Sequence, residues 1–194
     1  MIPFVKRLDL SAEEIAALAA YQDIGNPQNQ WGCCIKEGEE HHDCFVINSA
    51  LRNSRFREGL SEEDRKRFWE LVRLLDDAIG KSVFDEEVVV VRGLTDPGWI
   101  AQYDVDSVYV DDAYGSFSKN LAVAARYAGV NEAGEKVFVS RLLQKGEPAI
   151  YMGMREEEIL VARGARYQIK RIQIYDAGIL IDGYRARIYF LSRR

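Results

Sequence analysis

Two carboxylates spaced two residues apart where a strand begins are equipped to break a glycosidic bond, and this chain carries such a pair in Glu156-Glu157-Glu158, just before the apolar run Ile159-Leu160-Val161. Side chains alternate across a strand, so Glu156 and Glu158 are expected on one face and Glu157 on the other. One carboxylate of such a pair can stabilise an oxocarbenium-like transition state while the other handles the acceptor. The alternative is a solvated acidic cluster, the usual fate of adjacent glutamates. Against it stands the strongly apolar strand that follows.

Earlier in the chain, Arg92-Gly93 closes the run Val88-Val89-Val90-Val91. A strand of this kind delivers a guanidinium to a sheet edge, where its planar fork suits a pyrophosphate, and the glycine allows a ligand to approach the backbone closely. Taken alone, Arg92 would equally end its strand in a surface ion pair. Between these motifs lies Gly115-Ser116-Phe117-Ser118, leading into Asn120-Leu121-Ala122-Val123-Ala124-Ala125-Arg126-Tyr127. Helix capping explains Ser118. It leaves Ser116 unexplained.

The elements that must position these groups fall into an α+β pattern: an N-terminal helical lobe, about 1–82, followed by a mostly antiparallel β-sandwich core, about 83–194, in one domain. Ser11 and Glu14 form a capping box opening a helix to Gln22. The stretch from Asp23 to Asp43 reads as an excursion anchored by Trp31. A second helix is expected over Cys44 to Arg55. A third opens at Ser61 and carries Phe68, Leu71, Val72 and Leu75 on one face, with Gly80 at its end. Strands are expected at Val88, Ser107–Val110, Lys136–Leu143, Glu158–Val161, Arg166–Tyr175 and Tyr184–Leu191, the last two joined by a turn that includes Asp182-Gly183, with a short helix over Asn120–Ala128.

The 194 residues are 47% hydrophobic with a formal net charge of -5. That acidity and the lack of a basic run argue against nucleic acid as a partner. No run of apolar residues is long enough for a membrane span, and the start of the chain lacks a secretory apolar core. The expected setting is the cytoplasm of a producing or target cell, reached in the latter case by a Sec-independent export route. The three cysteines, Cys33, Cys34 and Cys44, are too few and uneven for a disulfide framework. With His41 and His42 they match no standard zinc spacing, so no metal is expected. No Gly-x-Gly-x-x-Gly joins a strand to a helix, which argues against a dehydrogenase.

In order and content the motifs resemble the arginine–serine–glutamate class of ADP-ribosyltransferases, which includes bacterial actin-modifying toxins and phage-encoded transferases. Tyr21 after the first helix, Ile47–Arg52 (INSALR), Leu75–Gly80 (LDDAIG) and Val137–Gly153 (VFVSRLLQKGEPAIYMG) also fall in family order. The resemblance implies NAD as substrate, cleaved at the nicotinamide–ribose bond, with ADP-ribose passed to an acceptor. It assigns Arg92 to the NAD phosphates, Ser116 to the nicotinamide ribose and the catalytic glutamate, Glu158 to the ribose hydroxyl and Glu156 to an arginine acceptor. Gly93 would meet the nicotinamide amide through its backbone, Asn48 the distal half of NAD. Tyr127 would stack on the nicotinamide ring or else be a core residue of its helix.

The chain departs from the family pattern in several places. Phe117 replaces the threonine of Ser-Thr-Ser, but should point away from Ser116. The span from Tyr21 to Asn48 is long, and Cys44 stands where a tyrosine is common. The segment from Ile150 to Glu156 is short and lacks the usual aromatic just before the glutamates, a place Tyr151 or Met152 would have to fill, so actin is not implied as the target. The expected function is therefore protein-arginine mono-ADP-ribosylation, against NAD glycohydrolysis or a catalytically silent binding module. Partners would be a protein acceptor and, in a toxin setting, a cognate inhibitor or immunity protein.

Overall fold

The computed structural model describes residues 6–7, 9–22, 31, 43–153, 157–176 and 181–194. Strand β1 (Lys6–Arg7) pairs with β2 (Ser82–Val83), and among the described residues four helices lie between them: α1 (Ala12–Gln22), α2 (Asp43–Arg52), α3 (Ser54–Glu58) and α4 (Glu62–Gly80). The capping box opens α1, with the Ser11 amide donating to Glu14 at 2.7 Å and the Glu14 amide to the Ser11 hydroxyl at 3.2 Å. The single helix expected over Cys44–Arg55 is instead broken at Asn53, whose extended backbone leaves its carboxamide to accept from the amides of Arg55 and Phe56. Asparagine competes well for a helix N-terminus, and here it starts α3. Gly80 stays inside α4, and Lys81 caps it.

Of the stretch read as an excursion, Trp31 and Asp43 are among the described residues, and they meet. Trp31 is buried, its indole N–H donates to Asp43 at 2.5 Å, and the Arg67 guanidinium lies 4.4 Å from the ring centroid while also bonding to Asp43. Cys33, Cys34, His41 and His42 lie outside the described residues. No helix among the described residues is long and apolar enough to cross a membrane.

Beyond β2 come β3 (Val88–Gly93), β4 (Val108–Asp111), β5 (Gly115–Ser118), helix α5 (Leu121–Arg126), β6 (Glu135–Leu143), β7 (Ala149–Gly153), β8 (Glu158–Val161), β9 (Ala165–Tyr175) and β10 (Arg185–Arg193). They form one eight-stranded sheet in the order β4-β9-β10-β6-β3-β5-β8-β7, antiparallel except where β10 meets β6. Residues from both edge strands, Tyr109 of β4 and Ala149 of β7, share a single apolar cluster with Val90, Phe117, Val139, Ile159 and Tyr189. Strand twist makes this possible, because a sheet of this width curls until its halves face each other. The expected sandwich is thus a continuous sheet folded around one core.

Tyr114, just before β5, joins Ile150 of β7 and Leu160 of β8 in a second cluster built by the helices, from Leu18, Tyr21, Ile47, Phe68, Val72 and Leu75. The Tyr114 hydroxyl fastens this junction by donating to the Val72 carbonyl at 2.9 Å and lying 2.8 Å from Asp76, which also holds Arg163. A third cluster packs α5 on the outer side of β3, β6 and β10.

Gly93 has a packing reason to be glycine. A Cβ at this position would sit 2.1 Å from the Ala124 carbonyl oxygen and 2.7 Å from the Ala128 amide nitrogen, both backbone atoms of the α5 segment. Neither neighbour can swing away. Gly93→Ala is expected to lower the unfolding free energy by about 1–3 kcal/mol, the usual cost of overpacking. Urea denaturation would register it as a lower midpoint with an unchanged slope; an unshifted midpoint would contradict the close approach.

Candidate active site

The register of β5 against β8 pairs Ser118 with Glu158 and Ser116 with Leu160. Residues opposite each other share a face, so Ser116, Ser118 and Glu158 all point to the helical lobe while Phe117 and Ile159 turn into the core. Phe117 is buried there, so its departure from threonine costs the site nothing; burying such a ring contributes about 2–3 kcal/mol to the fold. Ser116, diagonal to Glu158, has its hydroxyl 2.5 Å from one carboxylate oxygen. The other oxygen accepts from the side-chain amide of Gln22, the last residue of α1, at 3.3 Å. Sheet and helical lobe together hold Glu158 in orientation, and hydrogen bonds to an ionised acceptor are the stronger kind.

Sequence reasoning missed Gln22. It also misplaced the helix cap: Asn120, not Ser118, accepts from the Ala122 amide at the start of α5, while Ser118 accepts from the Asn120 amide. The strand spans Glu158–Val161, as expected, and Glu157 precedes it in a turn with φ of 47°. Glu156, expected on the same face, lies outside the described residues.

Arg92 emerges at the end of β3, an interior strand, and so at a strand end rather than a sheet edge. Its guanidinium donates to Asp111 at 3.0 Å. Arg52, the last residue of α2, donates to the other oxygen of the same carboxylate at 2.9 Å. All of these groups line a cleft of about 820 Å³ between the lobe and the sheet. That volume falls in the range of pockets that enclose cofactor-sized ligands.

The cleft brings together the other residues singled out in the sequence. Asn48 lines it, with its amide donating to the Tyr21 hydroxyl at 2.8 Å and its carbonyl accepting from the Tyr114 amide at 3.2 Å, so it braces the wall between lobe and sheet. Tyr127 also lines it and is 41% exposed, which disfavours the alternative of a core residue. Gly93 is part of the same wall. Trp99 and Tyr103, which sequence reasoning did not single out, form an aromatic side of the cleft next to Gln102, with Trp99 edge-on to Tyr109 at 5.3 Å.

Cys44 faces this cleft as well. Burial, reinforced by the charge of Glu158, raises its thiol pKa to about 11, so at neutral pH it is a protonated thiol and not a nucleophile. Burial likewise holds the Tyr21 phenol neutral, well above its ordinary pKa. Among the described residues, no group of three or more His, Cys, Asp or Glu is placed to hold a metal ion. The described groups offer electrostatic chemistry: a fixed carboxylate in the cleft and two guanidiniums joined through Asp111 on its wall.

The fold is that of the ADP-ribosyltransferase toxins. Plx2a, an ADP-ribosyltransferase toxin from Paenibacillus larvae, superposes with a TM-score of 0.65 at 18% identity, over 95% of this chain and 87% of its own. BECa, the ADP-ribosylating toxin of a C. perfringens binary enterotoxin, solved with NADH, gives 0.65 at 16% identity over 96% of this chain, which spans only 44% of that longer protein. The ADP-ribosyltransferase Vis, solved with agmatine, gives 0.62 at 15% identity over 96% of this chain and 77% of its own. No family model matches the sequence, and no curated protein resembles it closely enough in sequence to count as a relative.

Proposed function

We propose that this protein is a mono-ADP-ribosyltransferase that cleaves NAD at the nicotinamide–ribose bond and transfers ADP-ribose to an arginine side chain of a protein. The observation that carries this reading is the Glu158 carboxylate, fixed by Ser116 and Gln22 within a cleft that also holds Arg92. The likeness in fold to BECa with NADH supports the dinucleotide, and the likeness to Vis with agmatine, a guanidinium compound, supports the acceptor.

In this mechanism Arg92 binds the diphosphate and Tyr127 stacks on the nicotinamide ring, with the Gly93 backbone and Asn48 completing the wall. The C1′–N bond breaks with its electron pair going to the pyridinium nitrogen, so nicotinamide leaves neutral and needs no acid. Glu158, oriented by Ser116, stabilises the ribosyl cation. A guanidinium nitrogen of the acceptor then attacks C1′ and surrenders a proton, which Glu156 takes up.

Purified protein incubated with NAD, with and without agmatine, tests the proposal by chromatography of free nicotinamide and ADP-ribosyl-agmatine, with Glu158→Gln as control. Nicotinamide together with the adduct is the expected result. Nicotinamide without adduct would reassign the protein as a glycohydrolase or to another acceptor. No nicotinamide in either case would remove the enzymatic reading.

A further inference from the structure

Asp111 is the point at which three elements meet at the cleft wall. It ends β4, whose register against β9 sets it opposite Ala165. One carboxylate oxygen accepts from Nη1 of Arg92 on β3 at 3.0 Å. The other accepts from Nη2 of Arg52 on α2 at 2.9 Å, from Nε of the same guanidinium at 3.3 Å, and from the Ala113 amide at 3.3 Å. The Asp111 side chain is 12% exposed and that of Arg92 19%, while Arg52 reaches in from the surface at 43%.

Stability is a poor explanation for this arrangement. An ion pair to a side chain as exposed as Arg52 adds little to folding. What the arrangement does achieve is geometric: two like charges that would otherwise spread apart are tied to one carboxylate. Each guanidinium has five N–H donors. Asp111 engages one of those on Arg92 and two of those on Arg52, and the group as a whole keeps a net positive charge on the cleft wall.

We propose that Asp111 is a positioning residue that cross-braces Arg92 and Arg52 into a two-guanidinium clamp for the diphosphate of the dinucleotide. The proposal rests on the reading of the cleft as an NAD site. Asp111 itself does not contact substrate. It sets the spacing of the two cations before the ligand arrives, so that their ordering is not charged against binding. An asparagine here would keep the shape but turn a donor toward one guanidinium, releasing that arm of the clamp.

Calorimetric titration of the whole chain with ADP-ribose and, separately, with nicotinamide tests this, alongside KM and kcat for nicotinamide release from NAD. Asp111→Asn and Asp111→Ala are expected to weaken ADP-ribose binding and raise KM for NAD by about 10- to 100-fold, the scale of one lost charge-assisted interaction, with nicotinamide affinity retained and kcat changed far less than KM. Should Asp111→Ala not fold, Asp111→Asn carries the test by itself. Variants that bind ADP-ribose as well as the wild type, or better, would overturn the clamp, as would equal losses of affinity for ADP-ribose and nicotinamide. If the wild type neither bound ADP-ribose nor released nicotinamide, the NAD site and the clamp would fall together. Normal wild-type binding with unaffected variants would remove the clamp alone.

Discussion

Glu158→Gln is expected to lower nicotinamide release from NAD by about 10²–10³-fold or more, the scale on which removing one preorganised electrostatic group from a reacting centre is felt. The substitution is nearly isosteric. A glutamine carbonyl can still accept from the Ser116 hydroxyl, which lies 2.5 Å from the carboxylate, so the β5–β8 contact and the fold should survive. What disappears is the negative charge facing the ribosyl cation. Since breaking the C1′–N bond precedes capture by any acceptor, the loss should be equal with and without agmatine. Affinity for NAD should change only slightly, because Arg92, held by Asp111, is untouched. Single-turnover assays combined with a direct binding measurement separate these effects. Retention of more than a tenth of wild-type release would show that the cation is stabilised elsewhere.

The parts of the site legible in the sequence are those whose meaning is local. The run of valines ending in Arg92 is a strand because β-branched residues suit a buried sheet, and Gly93 follows because α5 passes within contact of its backbone. Alternation was enough to turn Phe117 away from Ser116, and the capping box opened α1 as read. The missed residues act across distance in the chain. Gln22 reaches Glu158 over 136 positions and Arg52 reaches Asp111 over 59; Gln22 looks like any polar residue at a helix end, and Arg52, although it closes the INSALR motif, carries nothing local that names its partner. Asp111 looked like half of an acidic doublet at a strand end. Strand β7 escaped notice because Ala149–Gly153 is short, lies at the sheet edge and ends in glycine, so its period is barely expressed. The helix break at Asn53 was legible in principle, since asparagine is a strong N-cap, but the surrounding residues continue the helical pattern on both sides.

Glu156→Gln should separate the two half-reactions that Glu158→Gln abolishes together. The acceptor is the difficulty: an arginine guanidinium keeps its proton across the whole working pH range and is a poor nucleophile until that proton is drawn away. A carboxylate positioned for general-base work typically contributes about 10²–10⁴-fold. Transfer to agmatine is therefore expected to fall by that factor in Glu156→Gln, while nicotinamide release into water, which makes no demand on the acceptor's proton, persists within about tenfold of the wild type because Glu158 still serves the cation. The ratio of ADP-ribosyl-agmatine to free ADP-ribose, followed over time at saturating NAD, reads the split directly. Its pH dependence adds an independent check, since raising the pH should recover part of the transfer if proton removal is what Glu156 provides. Equal losses in transfer and hydrolysis would instead mean that Glu156 supports the ribosyl cation, and undiminished transfer would leave the choice of arginine to other residues.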